Sequence, residues 1–278
     1  MPKQETIAGL YSPVYSFRPD FETNNKLKRI WAAIEERTFY CFLHRNEVAT
    51  IQRATGVMSG AVLDVGCGTG DRLARFAKAG YKVRGLEIQP QLARYVRTRL
   101  GYNANAGTLH TFSYPADSFN IVTVSSVIEH LLDVISVLKK IYGILKPHGW
   151  IVAEVPLSDS FQSRKLGNKW SQYCEAPRHL GIPSQEGARR AFTECGFADV
   201  IILPSTIINC AGFFGLSVIP KATATHTYGN SSMAALIPRF LAGMVTILYS
   251  PMAVIENYFL RRPACALILA RKAVEQAF

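Results

Sequence analysis

Residues 62–72 read VLDVGCGTGDR: an apolar run, three glycines at 66, 68 and 70, and then a helix-forming stretch. Glycine is needed where a backbone turns with positive φ, or must touch a ligand with no Cβ in the way. In open α/β sheets ligands bind beyond the carboxyl ends of strands, which is where this cluster falls. Two acids flank it. Asp64 lies two residues before Gly66, and Glu87 closes the next apolar run, 17 residues after Gly70. A carboxylate accepts two hydrogen bonds at once, which suits the vicinal hydroxyls of a ribose. The plainer alternative has Asp64 capping a turn and Glu87 solvated.

Three ligand classes compete for such a loop. A P-loop requires GxxxxGK[ST], and no Lys-Ser or Lys-Thr follows here. A dinucleotide fingerprint requires GxGxxG; Gly66 and Gly68 fit, but the third position is Asp71. The glycine falls instead at 70, where a pyrophosphate would need the helix end to approach closely, which weakens this reading. An adenosyl ligand without a phosphate chain, such as S-adenosylmethionine, asks for an acid before the glycines and another at the end of the next strand. Both are present.

The surrounding pattern predicts the elements that position these groups. AVLDV (61–65), KVRGLEI (82–88), FNIVTVSS (119–126), WIVAEVP (150–156), DVIILP (199–204) and CALILA (265–270) read as strands. Helices are predicted from Asp71 to Gly80, from Pro90 to Leu100, over Val134–Leu145 and from Ser184 to Glu194. Residues 24–55 also read as helix, capped at Asn24 or Asn25. Pro147-His148-Gly149 reads as a turn. Strand–helix alternation implies a parallel sheet covered on both faces. The expected divisions are an N-terminal helical arm or lid (1–59), a core (60–204), an apolar helical insertion (205–262), and a final strand with its tail (263–278).

Four blocks, VLDVGCGTG (62–70), GLEIQP (85–90), SFNIVTVSSVIEHLLD (118–133) and LKPHGWIVAEVP (145–156), occur in one order over about a third of the chain. In them the sequence resembles the class I S-adenosylmethionine-dependent methyltransferases. It is most similar to the small-molecule branch that includes ubiquinone-pathway-type enzymes. The resemblance implies an α/β, Rossmann-like fold. Its mostly parallel seven-stranded sheet has helices on both faces and an antiparallel last strand beside the penultimate one. It implies that Gly66, Cys67, Gly68 and Gly70 line the methionine and sugar of S-adenosylmethionine, and that Asp64 supports the loop. Glu87 would hold the ribose and Ile88 would pack on the adenine. The family usually carries Gly-Asp after the third strand. Here it is Gly107-Thr108, so backbone groups near Thr108 and Leu109 are expected to substitute. Some relatives bind a divalent metal through Glu-x-x-Glu-His. The first glutamate is Ser126 here, so no metal is expected and Ser126 is grouped with the cofactor loop.

Methyl transfer is an in-line displacement at an activated sulfonium, so the protein mainly positions and desolvates. A general base matters when the acceptor is a poorly acidic hydroxyl or a protonated amine. His130, in IEH after the fourth strand, is the first base candidate; capping of the next helix is its structural alternative. His179, in EAPRHLGIPS (175–184), is the second. Arg178 could pair with an acidic acceptor or form a structural salt bridge. Trp170 and Tyr173 could wall the acceptor pocket or belong to a core. Cys67 reads as packing. Tyr11, Tyr15 and Phe17 read as a lid or a surface arm.

Hydrophobic residues are 49% of the 278, and the formal charge of +11 is spread thinly. That argues against a nucleic-acid partner. SSVIEH lacks the Asp/Asn-Pro-Pro-aromatic pattern of amino-nucleobase enzymes, and the chain has no Pro-Cys dipeptide. Six cysteines without CxxC spacing, and no signal-peptide pattern, point to the cytoplasm, with the inner face of the membrane as an extension. The apolar stretches 207–219 and 240–255 each read as shorter than a membrane span. They could form a cap, a homodimer face or an in-plane membrane anchor. The expected activity is methylation of a small, apolar or lipid-linked acceptor, at oxygen. The competing class is a catalytically silent binding or scaffold protein on the same fold.

Overall fold

The computed structural model describes residues 46–176, 178–222 and 233–273. The expectations placed on residues 1–45, the aromatic arm and most of the first helix, lie outside the described residues.

The described chain divides into two compact units. The larger holds residues 46–155, 183–203 and 267–273. It opens with α1 (Glu47–Thr55), β1 (Ala61–Val65), α2 (Asp71–Lys78) and β2 (Lys82–Glu87). Next come α3 (Pro90–Tyr95), a wide turn over Val96–Leu100, β3 (Asn103–Ala106), β4 (Phe119–Ser125) and α4 (Val134–Ile144). β5 (Leu145–Pro156), α7 (Gln185–Glu194), β6 (Phe197–Pro204) and β7 (Cys265–Lys272) complete it. The smaller unit carries α5 (Phe161–Leu166), α6 (Ser171–Cys174), α8 (Ile207–Val218) and α9 (Met233–Val254).

The seven strands form one sheet in the order β3-β2-β1-β4-β5-β7-β6. The pairs β3–β2, β2–β1, β1–β4 and β4–β5 are parallel. β7 runs the other way. Its start meets the ends of β5 and β6 (Leu157 N donates to Ala264 O, Ser205 N to Cys265 O), and Lys272 Nζ near its end donates to Leu145 O at the start of β5. The fold is the expected Rossmann-like one, with β7 inserted between β5 and β6.

Register explains the core. Val62, Ile121 and Trp150 are lateral partners and face one way, packing with Ile51, Phe76, Leu267 and Leu269. Leu63, Val122 and Ile151 face the other and are also buried. Burial on both faces is why these strands read as unbroken apolar runs.

Two expectations are corrected. Pro147-His148-Gly149 lies inside β5: His148 takes φ 63° and the pairing slips from Phe119–Leu145 to Ile121–Trp150. The turn residues are accommodated as an irregularity in a continuing strand. The second apolar stretch is also longer than its prolines suggested. α9 runs through Pro238 and Pro251, and Ile237–Phe259 is long and apolar enough to cross a membrane by length and composition. Each proline removes one N–H···O=C bond without ending the helix, and α9 packs on α8 between Ala242 and Ala253.

Candidate functional site

The glycine loop begins where β1 ends. Gly66 and Cys67 donate their N–H groups to Leu86 O, at 2.7 and 3.2 Å, so the loop is tied to the end of β2. Gly66, Gly68 and Gly70 take φ of 75°, 51° and 82°, the left-handed region a side chain resists. Their surroundings differ. A Cβ on Gly66 would sit 2.4 Å from Val127 Cγ2, and one on Gly70 would sit 2.9 Å from Leu100 Cδ1. A Cβ on Gly68 would meet no protein atom within 4 Å. Gly68 is thus the bare point of the loop, open for a ligand to approach. Cys67 points inward onto Gly85, whose missing Cβ makes room for the sulfur. Burial and the charges of Asp64 and Glu87 push its thiol up, so Cys67 packs rather than reacts.

Glu87 stands beside that bare point. Its Oε2 accepts the Gly68 N–H at 2.8 Å and its Oε1 accepts the Gln89 N–H at 3.0 Å. Burial raises its carboxyl, and these amides pull it back toward the charged form. A carboxylate offers about four lone-pair sites, so acceptor capacity remains for hydroxyl donors. The next residue, Ile88, is 38% exposed, an aliphatic surface beside a buried acid.

Asp64 lies beneath the loop and is buried. It accepts the Thr123 hydroxyl at 2.6 Å and lies 3.7 Å from Arg72 Nη1. Arg72, in the first turn of α2, also binds Glu47 at 2.6 Å and Glu154 at 3.3 Å. Glu154 takes the Ser125 hydroxyl at 2.7 Å, and Arg75 reaches Glu47 at 3.1 Å. One guanidinium therefore joins α1, α2, β1 and β5 under the glycines. Burial raises the Asp64 carboxyl above its usual range, with Arg72 and Thr123 opposing.

The loop after β3 uses its polar groups internally. Thr108 N–H donates to Thr111 Oγ1 at 2.9 Å, and Leu109 O accepts Lys140 Nζ at 3.1 Å. The Leu109 carbonyl keeps a second lone pair, whereas the Thr108 N–H is already engaged. Ser126 follows β4 at φ 50°, with its N–H on Glu154 O. His130 ends a single 3-10 turn, Ile128–His130. The preceding Glu129 is 2% exposed.

The remaining expected residues lie in the smaller unit. Trp170 has no exposed surface and packs with Cys210, Ala211, Ala253 and Ala264. It belongs to a core, the second of the two readings open to it. Tyr173 is 38% exposed, stands edge-on to Trp170 at 5.1 Å and shares a hydrogen bond with Ser163 Oγ. Arg178 pairs with Glu175, the structural alternative foreseen for it. His179 Nδ1 lies 2.8 Å from Gln172 O.

Sequence reasoning singled out Asp64, Glu87 and the glycines, and passed over Glu47, Arg72 and Glu154. The charge of Arg72 two residues beyond Gly70 was the available signal. Two of its three acidic partners, Glu47 and Glu154, come from distant segments.

Comparison with known proteins fits this geometry. The family model described as "Methyltransferase domain" matches residues 24–201. The ubiquinone biosynthesis O-methyltransferase of Yersinia enterocolitica is 32% identical over 108 residues, covering 36% of this chain and 44% of that protein. The chain spans less than half the length of the curated relatives it matches. Among solved structures, phosphoethanolamine N-methyltransferase 2 of Haemonchus contortus, in complex with S-adenosyl-L-methionine, aligns with a TM-score of 0.57 at 15% identity. That alignment covers 87% of this chain and 60% of that one. A methyltransferase dependent on the same cofactor from Archaeoglobus fulgidus aligns with a TM-score of 0.54 at 20% identity, covering 87% and 99%. These likenesses show the fold. The family match covers more than half of the sequence: the chain belongs to the methyltransferase domain family, and its cofactor is S-adenosylmethionine.

Proposed function

We propose that the protein transfers a methyl group from S-adenosylmethionine to a hydroxyl oxygen on a small, apolar or lipid-linked acceptor in the cytoplasm. The observation that carries this reading is the pairing of Gly68 with Glu87. The loop is bare at the one glycine whose N–H is held by the acid that would take the ribose diol. When bound, the cofactor supplies a methyl group already activated on a positively charged sulfur. The chain's own residues then have limited tasks. Gly66, Gly68 and Gly70 let the backbone approach closely. Glu87 orients the sugar, and Ile88 covers an adenine face. Asp64, braced by Thr123 and Arg72, keeps the loop in place. His130, at the carboxyl end of β4, would take the acceptor hydroxyl proton onto its imidazole as the oxygen–carbon bond forms and the carbon–sulfur bond breaks. Tyr173 is the exposed aromatic assigned to the acceptor. The ubiquinone-pathway relatives, named as O-methyltransferases, support oxygen as the accepting atom.

Calorimetric titration with S-adenosylmethionine and its demethylated product tests the reading; absence of binding by both defeats it. Glu87→Ala is expected to weaken cofactor affinity by about 1.5–3 kcal/mol, the worth of hydrogen bonds to a charged group, or roughly 10- to 150-fold in Kd. A wild-type Kd in that variant removes the ribose assignment. Labelled-methyl transfer with cell extract, followed by identification of the product, would name the acceptor. On that acceptor, His130→Ala is expected to lower kcat by about 10²- to 10⁴-fold and flatten the pH–rate profile, leaving cofactor Kd unchanged. Unaltered turnover across pH rejects the base role.

A further inference from the structure

The α9 helix and its continuation to Phe259 present two unlike faces. At about 100° per residue, Ile237, Phe240, Met244, Leu248, Ile255 and Phe259 fall within an arc of about 100°. All six are exposed, Leu248 at 77% and Phe259 at 76%. On the opposite side Ala242, Thr246 and Ala253 are buried. There the two helices nearly touch: a Cβ on Gly215 of α8 would lie 2.6 Å from Ala242 O, and Phe214 stacks on Tyr249 at 3.7 Å. Glu256, on the flank of the packed side, is fully buried and is held by Tyr249 and Gln162. One side of α9 is therefore committed to protein. The other is an apolar band about 34 Å long, facing outward. A helix apolar on every side belongs in a core or a membrane, and only 22% of this one's most apolar window is buried.

Charge selects the occupant. Residues 156–182 and 204–266 carry eight Lys or Arg and three Asp or Glu. Of the three acids, Glu256 is buried and Glu175 pairs with Arg178. Arg261 and Arg262 follow the band, Arg239 lies near its start, and Tyr258 is 60% exposed at its far end. Two copies paired face to face would bring like charges together around an apolar seam. An anionic lipid surface would meet the apolar band with acyl chains and the basic rim with headgroups. Because its other side holds α8, α9 would lie along the surface instead of crossing it. We propose that the exposed face of α9 docks the protein in-plane on an anionic membrane. This inference is independent of the methyl-transfer reading.

The test is co-sedimentation of the full chain with phosphatidylcholine vesicles, with and without phosphatidylglycerol. The protein is expected to bind the anionic vesicles at least tenfold better and to be released by alkaline carbonate. Leu248→Glu and Phe259→Glu, at exposed positions, are each expected to reduce binding about tenfold or more. Circular dichroism and cofactor affinity should not change. Arg261→Glu with Arg262→Glu is expected to abolish the preference for anionic lipid. Failure to bind either vesicle overturns the proposal. So does a dimer in solution that Leu248→Glu converts to monomer, and retention after carbonate would show a spanning helix instead.

Discussion

Replacing Arg72 with methionine is expected to destabilise the fold by about 3–5 kcal/mol at neutral pH, the usual consequence of stripping one partner from a buried ion pair. The guanidinium is 10% exposed, and its partners Glu47, Asp64 and Glu154 are 6%, 2% and 10% exposed. Methionine fills most of the volume but leaves three buried carboxylates, of which Arg75 reaches Glu47. The direction with pH follows from those acids. Removing the cation would push the buried Asp64 carboxyl further up, so the deficit should narrow as pH falls and that acid binds a proton. Denaturant titrations at several pH values read this directly. Adding Glu47→Gln to the variant should recover part of the loss, since the two sites share one network. A loss below about 1 kcal/mol at pH 7, or one that does not vary with pH, would mean that water already solvates the acids and that Arg72 does not brace the loop.

The same network shows where sequence reading succeeds and stops. Asp64 and Glu87 were legible because each stands a few residues from a glycine or a strand end, so local spacing carried the signal. Glu47 lies before the sheet begins, and Glu154 sits within WIVAEVP, where it read as one polar residue in a strand. Their meeting on Arg72 depends on which strands become neighbours, and no local pattern encodes that. β1, β4, β5 and β7 were legible because burial on both faces leaves largely apolar runs, whereas β3, Asn103–Ala106, carries no apolar run and did not stand out. The prolines misled in both directions. Pro147 sits in a strand that continues past it, and Pro238 and Pro251 sit in a helix that does the same, because tertiary packing outweighed local preference. Trp170 stayed ambiguous for a related reason: an aromatic in a polar segment looks available, and only the packing of α8 and α9 around it decides for the core.

Glu129 leads to the second large effect. It is 2% exposed, its Oε2 has no hydrogen-bond partner among the described residues, and the negative charge of Glu154 acts on it. Burial, with that charge, pushes its carboxyl from the ordinary 4.5 up to about 8. The folded protein therefore keeps the group neutral at pH 7, whereas the unfolded chain ionises it. A raised folded-state pKa gives stability that is complete below about 4.5 and is lost as pH rises through about 8. The loss amounts to about 3 kcal/mol by pH 7 and somewhat more above pH 8, at about 1.36 kcal/mol per pH unit. Glu129→Gln has no proton to lose. Its new amide hydrogens add a pH-independent penalty of about 1–3 kcal/mol if they find no acceptor, so the diagnostic is the slope and not the offset. Relative to wild type, the glutamine variant should gain stability steadily between pH 4.5 and 8 and then level off. Urea midpoints measured in parallel across that range test it, and curves that stay parallel would show that Glu129 is ionised throughout.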